Sequence, residues 1–295
     1  MKIGLGTVQF GQNYGVSNKQ GITPEDEVRE ILTFAWGNGI TLLDTATLYG
    51  ASEEVLGRSI PPHTAFRIVT KTPTFQKTKI EKEDVARLKD IFRSSLDKLR
   101  QPNLYGLLVH HAVDLLKDGG QYLWEGMQEL KEMGLVQKIG ASLYSPIELN
   151  RFLEKYTPDI VQLPINVFDQ RMIQNGNLQH LKSQGVEIHS RSVFLQGLLL
   201  MSPEELPAHF NVIRSTILQY REALQKQDIN PLEAALTFVC QQPEIDYVIV
   251  GINNQTHLKE ILSVSQNMSL LRRIDFSMYA VIEEAVINPA SWGLQ

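Results

Sequence analysis

Thr41-Leu42-Leu43-Asp44-Thr45-Ala46-Thr47-Leu48-Tyr49-Gly50 reads as a short apolar strand that stops on a carboxylate and carries a tyrosine into the following loop. Leu42 and Leu43 suit a strand core, whereas an Asp at the strand's exit needs a partner, because an unpaired buried carboxylate is costly. Two more strands have the same form. Phe66-Arg67-Ile68-Val69-Thr70-Lys71 ends on a lysine, and Leu104-Tyr105-Gly106-Leu107-Leu108-Val109-His110 ends on a histidine. If the three are parallel neighbours, Asp44, Tyr49, Lys71 and His110 meet at one end of the sheet.

Outward from that stretch, strand and helix patterns alternate. Residues 3–10 read as a first strand, followed by the loop Gly11-Gln12-Asn13-Tyr14-Gly15. Gly4 and Gly6 lack the third glycine and the following helix of a dinucleotide fingerprint. Thr23-Pro24-Glu25-Asp26-Glu27 signals a helix start, with Thr23 as cap and Pro24 in the first helical position. Later strands are expected over 136–142, 160–164, 186–191 and 247–251, with a tail helix over 278–286. Eight strand–helix units with short turns predict parallel strands and right-handed crossovers. They close into a single (β/α)8 TIM barrel over residues 1–295 with an appended C-terminal helix, and the carboxyl-end loops of such a barrel carry its chemistry. A doubly wound sheet is the competing architecture, but its switch point and phosphate fingerprint are missing.

At 295 residues and 43% hydrophobic content, the chain can bury one large core. A net charge of −5 without a basic stripe excludes general affinity for nucleic acid. No apolar run is long enough for a signal peptide or a membrane span. The single cysteine, Cys240, excludes an intrachain disulfide and reads as a core residue of an apolar helix. These features lead to the expectation of a cytoplasmic protein, monomeric or a small homo-oligomer.

The four polar residues around one mouth define a chemistry. A free phenol has a pKa near 10, and a nearby ammonium such as Lys71 would lower it, with Asp44 holding Lys71 charged and aimed. His110 can orient a carbonyl oxygen. Such a set delivers a proton for C=O reduction or its reverse, with hydride from a nicotinamide cofactor and no metal ion. Taken singly, each residue has a structural reading: a turn former, a snorkelling lysine, a core histidine with His111 facing the opposite side of the strand. Coincidence at three successive strand exits is the weaker explanation.

Four segments, 42–50 (Leu-Leu-Asp-Thr-Ala-x-x-Tyr-Gly), 68–71 (Ile-Val-Thr-Lys), 107–110 (Leu-Leu-Val-His) and 138–142 (Lys-Ile-Gly-Ala-Ser), resemble the motifs of the aldo-keto reductases. The resemblance implies that Asp44, Tyr49, Lys71 and His110 are the catalytic tetrad, with Tyr49 as general acid/base, and that the substrate is a small aldehyde, ketone or sugar-like carbonyl compound. It also implies a cofactor site. Ser142 and Gln162 would hold the nicotinamide carboxamide, with Thr7 and Asp44 nearby. The segment containing Arg191, Ser192, Gln196 and Gly197 would cover the pyrophosphate, and Gly251, Asn253, Asn254, His257 and Glu260 would surround the adenosine phosphate. NADP(H) is the family default and NAD(H) the competing cofactor.

Three departures stand out: Leu143 replaces an asparagine, Arg191 replaces the aromatic ring that stacks on nicotinamide, and Gly251, His257 and Ile261 replace the Lys, Arg and Asn of the phosphate clamp. Phe10, Tyr14, His111, Phe168 and Trp292 are candidate walls of the substrate pocket, and His189 reads as structural. The barrel bottom, with the first strand starting at residue 3, is expected to be covered without an N-terminal hairpin. The alternatives are a cofactor-binding regulatory or redox-sensing subunit without significant turnover, and an aldolase using Lys71 as a Schiff base.

Overall fold

Strand residues of alternating in–out orientation line up into eight parallel strands in the computed structural model, which describes residues 2–266 and 274–292. They are β1 (Ile3–Gly6), β2 (Leu42–Asp44), β3 (Arg67–Lys71), β4 (Leu104–Val109), β5 (Val136–Ser142), β6 (Ile160–Pro164), β7 (Glu187–Arg191) and β8 (Tyr247–Gly251). Each pairs with its neighbours in sequence, and β1 closes on β8 with Ile3 opposite Val248 and Leu5 opposite Val250. The result is the closed (β/α)8 barrel. Helices such as Glu25–Gly37, Lys82–Leu99 and Gly120–Glu132 run between strands and turn apolar stripes inward. Val28, Ile31, Leu32 and Ala35 on the first of these are fully buried in the layer between helices and strands. A separate cluster, Leu42, Val69, Tyr105, Leu108, Ile160 and Ile249, fills the barrel itself. Among the described residues, no helix is long and apolar enough to cross a membrane.

The amino-terminal end of the barrel is closed by a polar and aromatic cluster. Glu187 accepts from Tyr105 Oη (2.7 Å) and Lys138 Nζ (2.5 Å) and pairs with His189 Nε2 (2.8 Å). The Arg67 guanidinium lies 5.2 Å from the ring centroids of both Tyr105 and Tyr247. Burial alone would raise the Glu187 carboxyl, yet hydrogen bonds from His189, Lys138 and Tyr105 hold it down at about 2. His189 is completely buried within this cluster.

Local details differ from the sequence reading where tertiary contacts intervene. The first strand stops at Gly6, because both the amide and the hydroxyl of Thr7 donate to the Asp44 carbonyl (3.0 and 2.9 Å) and turn the chain into a short 3-10 segment, Val8–Phe10. Thr23 does not cap its helix. Its hydroxyl donates instead to the Asn253 carbonyl (3.2 Å), and Pro24 takes the cap position. The tail is not one helix but a 3-10 turn, Phe276–Tyr279, and one helical turn, Glu284–Ile287. It is pinned by Val281 N donating to Phe168 O (2.8 Å) and Trp292 Nε1 donating to Val286 O (2.9 Å). Cys240 is a half-buried helix residue whose thiol is pushed up to about 11 by burial, which leaves it unreactive at neutral pH.

Candidate active site

Asp44, His110, Ser142 and Arg191, at or just past the carboxyl ends of their strands, line one cavity of about 520 Å³. Asp44 closes β2 and Lys71 closes β3, and both are almost fully buried. The Lys71 ammonium donates to both Asp44 oxygens (2.8 and 2.7 Å) and to the Thr45 carbonyl (3.0 Å). All three of its N–H groups are therefore used. Gln162 Nε2 donates to Asp44 Oδ1 (2.7 Å), which leaves Gln162 Oε1 buried and unpartnered.

Tyr49 is presented by a loop held at close quarters. A Cβ on Gly11 would lie 1.9 Å from the Tyr49 carbonyl oxygen and 2.3 Å from the Ser52 amide nitrogen, and Gly50, at φ +55°, packs back on Gly11. Buried Ser52 locks the same loop by donating to the Thr7 carbonyl (2.9 Å) and accepting from the Thr45 hydroxyl (3.1 Å). The Tyr49 ring stands edge-to-face with His110 at 5.7 Å, and Lys71 Nζ lies 5.1 Å from its centroid.

The electrostatics correct one expectation. Burial raises the Tyr49 phenol above the usual tyrosine value, and Asp44 and Tyr144 add to the rise while Arg191 opposes it. The Lys71 ammonium points its N–H groups at Asp44 and the Thr45 carbonyl instead of at the phenol. Burial likewise draws the Lys71 ammonium below the ordinary lysine value, against the pull of Asp44. His110 is pushed down to about 2 by burial, with Lys71, His111 and Arg191 adding to the effect, so its imidazole is neutral. Its Nδ1 has no partner.

Thr7, Asp44, Tyr49, His110, Ser142, Gln162, Arg191, Ser192, Gln196, Gly197, Gly251, Asn253 and His257 all line the cavity. Lys71 sits behind Asp44. Asn254 instead accepts from the His257 amide at the start of the helix Gln255–Gln266 (2.9 Å), and Glu260 is exposed on that helix. His111 does not face away from His110. Both lie beyond the end of β4, where strand alternation no longer applies, and their rings stack at 4.9 Å in the same cavity. Of the candidate pocket walls, Tyr14 and His111 line the cavity, whereas Phe10, Phe168 and Trp292 are packed in the core. Tyr144 was not singled out in the sequence, yet the Arg191 guanidinium lies on its ring at 4.1 Å and donates to the Leu143 carbonyl (3.4 Å). Its position two residues past Ser142 was the available signal.

The donor set fits a nicotinamide cofactor. Gln162 Oε1 is a buried acceptor without a partner, which a carboxamide NH2 would satisfy, and Ser142 stands on the neighbouring strand opposite Gln162. Gly251 leaves room beside Gln9, where a Cβ would meet Gln9 Nε2 at 2.6 Å. Gln9 Oε1 is also unpartnered.

Comparison with known proteins agrees with this geometry. The Aldo/keto reductase family pattern matches residues 2–278. Aldo-keto reductase YhdN of Bacillus subtilis is 29% identical over 98% of this chain and 92% of its own length. Aldo-keto reductase AKR2E4 of Bombyx mori is 29% identical over 57% of each chain, so the match spans little more than half of that relative. In fold, the chain is similar to the holo form of aldo-keto reductase AKR11C1 from Bacillus halodurans, with a TM-score of 0.74 at 18% identity over 96% of this chain and 94% of the other. The chain belongs to the aldo-keto reductase family, oxidoreductases that use nicotinamide cofactors on small carbonyl compounds.

Proposed function

We propose that this chain reduces an aldehyde, ketone or sugar-like carbonyl to an alcohol, with Tyr49 as the proton donor. The observation that carries the reading is the single cavity in which the Tyr49 and His110 rings meet above the Lys71–Asp44–Gln162 chain of hydrogen bonds. A bound nicotinamide supplies the hydride to the carbonyl carbon. Tyr49, kept protonated by burial, gives its proton to the carbonyl oxygen. Neutral His110 has one N–H with which to orient that oxygen. Asp44 and Lys71 neutralise each other and fix the floor on which Gln162 stands. A Schiff-base role for Lys71 is disfavoured, because an amine that donates all its N–H groups and is 1% exposed cannot reach a carbonyl.

For the cofactor we propose Ser142 and Gln162 at the carboxamide, Ser192, Gln196 and Gly197 over the pyrophosphate, and Gly251, Asn253, Asn254 and His257 at the adenosine end. NADP(H) is the proposed cofactor on family grounds. With no lysine among the described residues lining the cavity and His257 offering only a ring N–H at that end, the preference over NAD(H) is expected to be modest, about tenfold or less, as for one ordinary hydrogen bond. Fluorescence titration with NADPH and NADH, followed by a carbonyl panel with the tighter binder, tests the proposal. Tight cofactor binding without turnover of any carbonyl would instead favour a cofactor-sensing subunit.

A further inference from the structure

We propose that Arg191 anchors an oxyanion, a carboxylate or phosphate, carried by the carbonyl substrate, so that the site selects anionic carbonyl compounds. The inference rests on the reductase reading of the same cavity. It starts from charge. Asp44 is the one carboxylate among the cavity-lining residues described, and its oxygens are taken up by Lys71 and Gln162. Lys71 and Asp44 pair with each other, which leaves the Arg191 guanidinium as the cavity-lining cation without an ion pair among the described residues.

Two other arginines are held by carboxylates, whereas Arg67 rests on two aromatic rings without one among the described residues. Arg171 is clamped by Asp169 (2.8 Å) and Glu284 (3.2 Å), and Arg58 by Glu25 (3.0 Å). Among the described residues, Arg191 has no carboxylate within ion-pair distance. Its polar contacts are long ones, to Ser192 Oγ (3.2 Å) and the Leu143 carbonyl (3.4 Å), and its Nε is buried with no partner. A partly buried cation left unpaired by the protein is costly, and a matching oxyanion removes the cost. Tyr144 fixes the plane of the guanidinium from one face, so the fork is pre-oriented.

The surroundings add donors, and the nearby acid, Glu148, feels the Arg191 charge but makes no ion pair with it, accepting instead from the Tyr144 amide (2.6 Å). The Tyr14 hydroxyl accepts from Gln196 Nε2 (3.1 Å) and keeps its own proton to donate. His111, stacked on His110 in the same cavity, offers a further N–H. Arg191 stands at the exit of β7, on the side of the cavity shared with Leu143 and Tyr144, whereas Asn253 and His257 belong to the segment after β8.

The test compares kcat/KM within two matched pairs, 4-carboxybenzaldehyde against 4-methylbenzaldehyde and glyceraldehyde 3-phosphate against glyceraldehyde. Each is measured in the wild type, Arg191→Met and Arg191→Lys, with the NADPH dissociation constant of each protein measured by fluorescence. The wild type is expected to favour the anionic member of at least one pair by about tenfold to a hundredfold, the range of a charge-assisted hydrogen bond. Which pair shows it separates carboxylate from phosphate. At saturating NADPH, Arg191→Met should collapse that ratio towards unity, and Arg191→Lys should retain part of it, because the charge remains and the planar fork is lost. Equal use of charged and neutral members, or a ratio unchanged in Arg191→Met, overturns the proposal. So does weakened NADPH binding with the ratio intact, which would assign Arg191 to the cofactor. Absence of turnover with every aldehyde despite NADPH binding overturns the reductase reading along with it.

Discussion

The two ends of this barrel are both polar, and they differ in how completely their groups are satisfied. At the amino-terminal end, Glu187 gathers Tyr105, Lys138 and His189, Arg67 rests between two aromatic rings, and one atom of the cluster, His189 Nδ1, is buried without a partner. At the carboxyl-terminal end, Gln9 Oε1, His110 Nδ1, Gln162 Oε1 and Arg191 Nε are buried without partners. Buried polar groups left unsatisfied reduce stability, and a fold keeps such a set where a ligand will complete it. On the proposed function, the closed end serves stability and the open end serves binding and chemistry. Substitutions should separate the two.

The largest effect is expected at the open end. Tyr49→Phe should lower kcat by about 10³-fold or more, as loss of a general acid does, with little change in melting temperature or in cofactor affinity. Steady-state kinetics beside thermal melts would show it, and a substantial residual rate would assign the proton to another group. At the closed end, Glu187→Ala leaves Lys138 and His189 without their carboxylate and should cost about 3 kcal/mol in denaturant unfolding, with turnover per folded molecule retained. A loss of kcat without loss of stability would break the division between the ends.

Gly11→Ala couples packing to chemistry. The added Cβ meets backbone of the Tyr49 loop, and the resulting displacement should lower kcat up to about 10²-fold, the usual consequence of misplacing a reacting group by about 1 Å. A wild-type rate in this variant would mean that the loop is not fixed by that contact. The smallest effect belongs to the exposed Lys19–Glu205 pair (3.1 Å). Lys19→Ala should leave both melting temperature and kcat at wild-type values.

Acid titration distinguishes the ends in another way. Glu187 is held near 2 instead of its ordinary 4.5, so it stabilises the folded barrel by up to about 3 kcal/mol above pH 4.5, and that contribution disappears as pH falls towards 2. His110 acts earlier. The unfolded chain takes up a proton below pH 6.5 that the folded chain, with His110 near 2, refuses, so stability begins to fall below 6.5. His110→Gln should remove the upper part of the acid slope and Glu187→Gln the lower part. Identical slopes in both variants and the wild type would contradict the assignment.

Strand exits were legible in the sequence because apolar runs ending on Asp44, Lys71 and His110 mark both the strands and the mouth they share. The eightfold rhythm then gave the barrel. What the sequence did not disclose depends on contacts between distant segments. His111 joins His110 because the strand has already ended, Thr23 leaves its cap for Asn253, and Tyr144 meets Arg191 across β6. The closed end was equally hidden. Arg67, Tyr105, Lys138 and Glu187 lie at strand starts, where only the register of the closed sheet shows that they converge. The roles assigned to Lys71 and Tyr49 required the geometry, since a lysine with every N–H engaged acts differently from a free cation nearby.

A crystal structure of the complex with oxidised cofactor tests the central claim most directly. The account predicts the nicotinamide carboxamide nitrogen within about 3 Å of Gln162 Oε1, as for an ordinary hydrogen bond, and the ring carbon that carries hydride facing Tyr49 and His110. A cofactor seated with its nicotinamide turned away from Tyr49, or bound outside the cavity with Gln162 Oε1 still unpartnered, would contradict it.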